Sequence, residues 1–329
     1  MKSQTLDHAR IVLCYPIEPC HLEQIRAAAP GARVIDAGQE RVAAEILDAD
    51  VFCGHPKVPV DWHTVASQGR LRWIQSSAAG LDHLLVPEII ASDVVVTSAS
   101  GVLADQVTEH AVALITSWLR RLPTFYEAQK RHEFVRRPTL DLHGMTVGIV
   151  GYGGVGRRMA EVLQVFKTRI LATDLFPVNR APHVAELWPA DRLPDLLAAS
   201  DLVVLSVPLT PQTRGLINRE MLARMKPTAL LANLARGPVV VEADLVAALE
   251  EGRLAGAVLD VTEVEPLATT SKLWDLPQVL ITPHVAGQSR ERATQMTDFF
   301  CENLRRYQAG EPLRNLVDKR LGFPKPAGA

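Results

Sequence analysis

The 329-residue chain is poor in cysteine, and its four cysteines form no metal-binding or disulfide pattern. Cys14, Cys20, Cys53 and Cys301 are scattered along the chain without a CxxC pair. Neither a disulfide framework nor a zinc site follows from this spacing. We expect reduced and mostly buried thiols.

Long apolar runs and blocks of one charge are also missing. No stretch of about 18 apolar residues occurs, as a membrane-spanning helix requires, so we expect a soluble, cytoplasmic protein. Lysine and arginine together number 35 against 37 acidic residues, and no long basic run stands out. The charge pattern therefore predicts neither nucleic-acid nor membrane partners.

At 329 residues the chain is too long for one ordinary compact core, which predicts two domains. Its hydrophobic content of 47% is enough to bury a sizeable core. Short apolar segments alternate with helical patterns before and after residue 100, and this order is typical of parallel, doubly wound α/β sheets. The predicted strands include Arg10–Cys14, Asp50–Cys53, Val94–Thr97, Thr146–Val150, Arg169–Thr173, Asp201–Ser206, Ala229–Ala232, Ala257–Leu259 and Val279–Thr282.

Two long helical patterns, 102–121 and 288–307, flank the central block. We interpret them as the helices at which the chain crosses between domains. One domain then comprises residues 1–98 and 288–329 and is discontinuous, and residues 99–287 form the other. The last residues, 322–329, are expected to be a frayed terminus.

A glycine-rich turn opens the central domain. The predicted strand Thr146–Val150 is followed by Gly151, Gly153 and Gly156 in the spacing GxGxxG at the start of a helix. Such glycines permit a tight turn, a close approach of the backbone to a pyrophosphate, and close packing of helix on strand. The helix N-terminus then offers N–H groups to the phosphates. A GxGxxG without further support is a weak signal.

The support comes from the end of the next predicted strand, where Asp174 follows Arg169–Thr173 roughly twenty residues after the glycines. A carboxylate there accepts hydrogen bonds from the adenosine ribose hydroxyls and repels a 2′-phosphate, which favours NAD over NADP. Arg180 lies nearby, and a solvated surface arginine is its expected role.

With these motifs the chain closely resembles the D-isomer-specific 2-hydroxyacid dehydrogenase family. The matching segments cover about residues 73–290; they are VGIVGYGGVG (147–156), VPLTPQTRGLI (207–217), NLARGPVV (233–240), LDVTEVEPL (259–267) and TPHVAG (282–287), with looser matches at AAGLD (78–82) and Glu109-His110-Ala111. The resemblance implies a Rossmann dinucleotide-binding domain inserted in a flavodoxin-like substrate-binding domain.

The resemblance also implies the reacting groups. His284 is the acid–base, Glu265 is its partner, and Arg236 anchors the substrate carboxylate with the backbone N–H groups around Ala78, Ala79 and Gly80. Asp260 is expected to face the nicotinamide. The cofactor-binding set implied in this way comprises Gly151, Gly153, Gly154, Val155, Gly156, Asp174, Val207, Pro208, Leu234, Ala235, Arg236, Asp260 and His284.

The chemistry of these residue types agrees with the implied roles. Hydride transfer to a 2-oxo acid leaves an alkoxide, and a histidine can protonate it near neutral pH. A carboxylate such as Glu265 orients the imidazole and stabilises its charged form. The planar fork of Arg236 matches a carboxylate. We therefore expect an NAD-dependent oxidoreductase acting on a small 2-hydroxy or 2-oxo acid.

Several alternatives stay open at this point. A nucleotide-sensing corepressor uses the same fold, and fold alone does not exclude it. A formate dehydrogenase is disfavoured because that branch has glutamine in place of Glu265. Glyoxylate, hydroxypyruvate, phosphoglycerate and bulkier 2-oxo acids all remain as substrates. His55 and Lys57 follow an N-terminal strand and are candidates for selecting among them, but a solvated loop is their expected role.

The apolar-faced helical pattern 102–121, continued by 122–132, offers more hydrophobic surface than a domain crossing requires. Together with the resemblance, it predicts a two-fold symmetric homodimer.

Overall fold

A computed structural model describes residues 6–176 and 178–326. These residues form two compact units. One comprises residues 6–103 and 289–326, and the other comprises residues 104–176 and 178–288. The chain passes from one unit to the other after Leu103 and again after Gln288.

The first unit contains a five-stranded, all-parallel sheet in the order β2-β1-β3-β4-β5. This order is that of flavodoxin-like folds. The elements are β1 (Arg10–Cys14), α1 (Pro19–Ala28), β2 (Arg33–Asp36), α2 (Gly38–Glu45), β3 (Val51–Gly54), α3 (Trp62–Ser67), β4 (Trp73–Ser76), α4 (Pro87–Ala91), β5 (Val95–Thr97), and, after the second unit, α11 (Arg292–Ala309), β13 (Val317–Asp318) and β14 (Phe323–Pro324).

The C-terminal helix completes the core of this first unit. Phe300 and Tyr307 of α11 are buried, and the Tyr307 ring stacks on the indole of Trp73 with ring centroids 5.2 Å apart. A discontinuous unit therefore buries side chains from both ends of the chain.

The second unit contains a seven-stranded, all-parallel sheet in the order β12-β11-β10-β9-β6-β7-β8. Counted from β6, its first six strands follow the Rossmann order 3-2-1-4-5-6. The elements are α5 (Ala104–Leu119), α6 (Leu122–Lys130), β6 (Thr146–Val150), α7 (Gly154–Leu163), β7 (Arg169–Asp174), β8 (Val184–Pro189), α8 (Leu193–Ala199), β9 (Leu202–Leu205), α9 (Arg219–Arg224), β10 (Leu230–Asn233), α10 (Glu242–Glu250), β11 (Gly256–Leu259) and β12 (Val279–Ile281).

Two apolar clusters cover the two faces of this sheet, which explains why β9, β10 and β11 are buried throughout. The prediction of two doubly wound parallel-sheet domains is thereby confirmed. Three strands of the two large sheets were not named from the sequence and have weaker signals. β2 and β8 are partly exposed, and β4 carries the buried polar residues Gln75 and Ser76.

The long helical patterns differ slightly from the predicted bounds. The pattern 102–121 forms α5, and Arg121 in a left-handed conformation (φ 53°) separates it from α6. The tail is not frayed along its whole length, because Phe323–Pro324 pairs with Val317–Asp318, while residues 327–329 lie outside the described residues.

Among the described helices, none has the length and apolar character needed to span a bilayer.

Candidate active site

The carboxyl edge of the seven-stranded sheet brings together most of the predicted site residues. Gly151 follows β6, Asp174 ends β7, and Ser206 follows β9. Arg236 lies three residues after β10, Asp260 follows β11, and His284 follows β12 after two residues. Because these strands are parallel neighbours, their carboxyl ends share one edge, which is where open α/β sheets bind ligands.

The glycine turn has the features that a dinucleotide requires. Gly151 has φ +95°, and a Cβ on Gly156 would lie 2.1 Å from the Gly151 carbonyl oxygen, so larger residues would displace the turn. A Cβ on Gly153 would meet no atom within 4 Å, so the backbone there is open to a ligand. Gly154 and Val155 begin α7, whose first N–H groups suit an anion.

Asp174 holds this turn from the neighbouring strand. Its carboxylate accepts hydrogen bonds from the N–H of Tyr152 at 2.7 Å and from the N–H of Phe176 at 3.0 Å. A carboxylate has about four acceptor positions, so Asp174 retains capacity for ribose hydroxyls. Arg180 is exposed and donates to the carbonyls of Val184 and Ala185, in agreement with its expected surface role.

The loop after β9 is held in place by hydrogen bonds from its own side chains. Ser206 donates its hydroxyl proton to the Gly151 carbonyl at 2.7 Å, which ties β9 to the glycine turn. Thr213 donates to the Pro208 carbonyl at 2.6 Å and so fixes the loop that contains Val207 and Pro208.

The loop containing Arg236 is shaped by buried Asn233. The Asn233 side chain accepts from the N–H of Ala235 at 3.1 Å, and its amide group donates to the Arg236 carbonyl at 3.1 Å. One guanidinium N–H donates to the Ala235 carbonyl at 2.8 Å. Leu234 and Ala235, predicted to contact the cofactor, lie in this same turn.

His284 and Glu265 form a direct pair. The His284 Nδ1 lies 2.8 Å from Glu265 Oε2, while Glu265 Oε1 accepts from the N–H of Thr262 at 3.2 Å. The carboxylate is thus oriented by backbone and accepts the Nδ1–H of the imidazole. Nε2 is then the ring nitrogen that can exchange a proton with a ligand, and the ring is 46% exposed.

Asp260 is placed differently from the other predicted residues. It is 2% exposed, and its carboxylate accepts from the Thr282 hydroxyl at 2.7 Å and from the N–H groups of Val285 and Ala286 at 2.9 Å each. Its carbonyl also accepts from the N–H of His284 at 2.8 Å. Asp260 therefore holds the segment that contains His284, a task that its place after a strand did not reveal.

In the first unit, Ala78–Gly80 follow β4 in a tight loop. The N–H of Ala78 donates to the Ser76 hydroxyl at 3.1 Å, and the Ala78 carbonyl accepts from the N–H of Ala99 at 3.1 Å. Ala78 thus fixes the loop. Within this predicted trio, the N–H groups of Ala79 and Gly80 are the better candidates for a substrate carboxylate.

The candidate selectivity residues His55 and Lys57 follow β3. The His55 ring stacks on that of His83, with centroids 3.5 Å apart and an interplanar angle of 11°. Gln39 fixes this loop because its side chain donates to the His55 carbonyl and accepts from the N–H of Lys57.

Comparison with known proteins agrees with this geometry. Residues 112–286 match the model of the D-isomer specific 2-hydroxyacid dehydrogenase NAD-binding domain. The chain belongs to the D-isomer-specific 2-hydroxyacid dehydrogenase family. It is therefore an oxidoreductase that uses a nicotinamide cofactor and acts on a small 2-hydroxy or 2-oxo acid, as predicted.

Two curated relatives illustrate the range of the family. A glyoxylate reductase of Korarchaeum cryptofilum is 34% identical over 295 residues, which cover 87% of this chain and 88% of the relative. A D-3-phosphoglycerate dehydrogenase of Mycobacterium bovis is 32% identical over 284 residues, covering 85% of this chain and 53% of that longer protein.

Solved structures show the same fold. A family member from Xanthobacter autotrophicus in complex with NADPH and MES aligns with a TM-score of 0.81 and 32% identity over 96% of this chain and all of the other. An NADPH-dependent glyoxylate/hydroxypyruvate reductase from Sinorhizobium meliloti in complex with NADP and sulfate aligns with a TM-score of 0.82 and 29% identity, with the same coverage.

Proposed function

We propose that this protein is an NAD-dependent D-2-hydroxyacid dehydrogenase that uses His284 as its acid–base. The 2.8 Å contact between His284 Nδ1 and Glu265 Oε2 carries the proposal. It directs the other ring nitrogen to the ligand and places a carboxylate where an imidazolium needs one. The same site serves oxidation and reduction.

Each reacting group has one task. When bound, the nicotinamide supplies or accepts the hydride. In the reductive direction, protonated His284 donates from Nε2 to the oxygen on carbon 2 as that oxygen gains charge. Arg236 binds the substrate carboxylate and thereby orients carbon 2.

We assign NAD as the preferred cofactor because of Asp174. A 2′-phosphate beside this carboxylate would experience like-charge repulsion, whereas a ribose hydroxyl would donate to it. The two structural relatives described above are complexes with NADPH or NADP, so the assignment to NAD rests on Asp174 alone. The ratio of catalytic efficiencies with NADH and NADPH tests it.

We assign substrate binding to residues 1–98 with 288–329, and cofactor binding to residues 99–287. Glyoxylate and hydroxypyruvate are the first substrates to test, given the named activities of the relatives. His55 and Lys57, which follow β3 in the substrate-binding unit, are the residues to vary if the substrate panel shows a preference.

Homodimer formation is part of the proposal. Exposed apolar side chains are concentrated on α6 and in the segment after it, where Phe134 is 98% exposed; the others are Leu122, Tyr126, Val135 and Leu140. Several exposed apolar side chains within one stretch of the chain are typical of a subunit interface. A cytoplasmic location is proposed as well, supported by four unpaired cysteines, of which three are buried.

Turnover of NADH with a panel of 2-oxo acids tests the proposed function. We expect His284→Ala to lower turnover about 100-fold or more and to leave NADH affinity nearly unchanged. His143→Ala, an exposed histidine in the same unit, is the matched control. Tight NADH binding without turnover of any 2-oxo acid would instead favour a nucleotide-sensing corepressor.

A further inference from the structure

Behind His284 lies a chain of hydrogen bonds that begins on another helix. His110, on α5, places Nε2 2.8 Å from the Thr282 hydroxyl, and that hydroxyl lies 2.7 Å from Asp260 Oδ1. The His110 Nε2 is also 3.4 Å from the same carboxylate oxygen. The His110 side chain is 22% exposed, so the three residues form a largely buried polar cluster.

The donors in this chain can be assigned from chemistry alone. A carboxylate only accepts hydrogen bonds, so the single proton of the Thr282 hydroxyl points to Asp260. The hydroxyl oxygen must then accept from His110, which requires a proton on His110 Nε2. The direction of donation is therefore from His110 to Thr282 and from Thr282 to Asp260.

The cluster ends on the backbone that bears the proposed acid–base. Asp260 accepts from the N–H groups of Val285 and Ala286, and Thr282 lies two residues before His284. His284 itself has φ +55°, a left-handed conformation that is uncommon for non-glycine residues and that local hydrogen bonds can restrain. The hydrogen bonds of Asp260 lie on both sides of this residue in sequence and supply that restraint.

We propose that His110 is a positioning residue for His284. Its Nε2–H orients the Thr282 hydroxyl, which orients the Asp260 carboxylate, which in turn fixes residues 284–286. This inference rests on the proposed role of His284. A misplacement of about 1 Å at a reacting group costs up to roughly 100-fold in rate, so loss of the His110 donor should slow turnover without any contact to substrate.

Amide substitutions at position 110 test the donor directly. The amide nitrogen of His110→Gln can occupy the position of the imidazole Nε2, whereas that of His110→Asn is too short to reach it. We expect His110→Asn to lower kcat roughly 10- to 100-fold with NADH affinity unchanged, and His110→Gln to recover most of the loss. His143→Asn is the control for a histidine outside the cluster.

Thr282→Val removes the same hydrogen bond from its other end and leaves α5 intact. It should reproduce the loss of kcat, and combining it with His110→Asn should cost much less than the product of the two single effects, because both break one chain. Each variant is measured for kcat, KM, NADH affinity and thermal unfolding. Restoration of kcat by glutamine is the readout that a packing role would not give.

Three outcomes contradict the inference. The first is an unchanged kcat in both His110→Asn and Thr282→Val, and the second is an equal loss of kcat in His110→Asn and His110→Gln that accompanies a fall in Tm. The third is a double variant whose loss of kcat equals the product of the two single losses. These results would leave the proposed function intact as long as His284→Ala is inactive. If His284→Ala retains full turnover, the proposed role of His284 is wrong, and the inference that rests on it is wrong as well.

Discussion

Asp174 and Asp260 occupy similar places at the carboxyl edge of the same sheet, yet the structure uses them differently. Asp174 ends β7 and Asp260 follows β11, and each accepts hydrogen bonds from two backbone N–H groups. Asp174 is half-buried, whereas Asp260 is buried and also accepts from the Thr282 hydroxyl with His110 close by.

The difference follows from the number of acceptor positions. A carboxylate offers about four, and the protein itself uses most of those on Asp260. Asp260 therefore acts mainly on the chain that bears His284, while Asp174 keeps positions for a ligand. We therefore expect Asp260 to serve the reaction and Asp174 to serve the cofactor, and substitution at each should affect different measurements.

Asp260→Asn should have the largest effect. The amide replaces one acceptor oxygen by a donor, which leaves a buried N–H or hydroxyl without its partner at a cost of about 2 kcal/mol. We expect kcat to fall about 100-fold and Tm to fall by several degrees. Enzyme kinetics and thermal unfolding measure both.

Asp275→Asn, at an exposed acid of the same unit, is the control for Asp260. Wild-type kcat in Asp260→Asn would show that the hydrogen bonds to residues 285 and 286 do not determine the position of His284.

Asp174→Asn should have a smaller and different effect. Loss of the charge should raise the KM for NADH about tenfold, reduce the discrimination against NADPH, and leave kcat at saturating NADH nearly unchanged. Kinetics with both cofactors measure this, with exposed Asp191→Asn as the control. A wild type that prefers NADPH, or a variant with an unchanged cofactor ratio, would remove Asp174 from cofactor selection.

Asp201, immediately before β9, should matter least. Its burial opposes ionisation, but the Lys226 ammonium at 2.8 Å and the N–H of Thr146 at 2.9 Å outweigh it and hold the pKa of Asp201 below its usual value. A lowered pKa stabilises the folded state above the ordinary value of about 3.9, and this stabilisation is lost as pH falls through the lowered pKa.

Asp201→Asn should therefore lower stability at pH 7 by less than about 1 kcal/mol, since the pair is partly solvated, and leave kcat unchanged. Calorimetry at several pH values should show the difference from wild type shrinking below about pH 4. A difference that grows in acid would contradict the assigned direction of the pKa shift.

The sequence predicted those features of the fold and site that depend on residues close to one another in the chain. Gly151, Gly153 and Gly156 with Asp174 at the proper distance predicted the dinucleotide turn, because a tight turn and a close approach impose residue type at fixed spacing. The buried runs of β9, β10 and β11 predicted a parallel sheet for a similar reason, since both faces must be apolar.

Contacts between distant segments were not predictable in this way. His110 and Thr282 are separated by 172 positions, and neither residue type by itself indicates a hydrogen bond. The structural role of Asp260 could not be predicted, because its backbone donors, the N–H groups of Val285 and Ala286, do not depend on residue type. Edge strand β8 was not predicted because it is partly exposed and ends in a proline.

The pH dependence of catalytic efficiency in Glu265→Gln, measured in both directions, tests the His284–Glu265 pair most directly. The substitution keeps size and a hydrogen-bonding end but removes the charge that stabilises the imidazolium. Reduction needs the protonated ring, so its alkaline limit should move to lower pH, and the acid limit of oxidation should move the same way. If both limits stay at their wild-type positions, Glu265 does not act on the proton of His284, and the central claim is wrong.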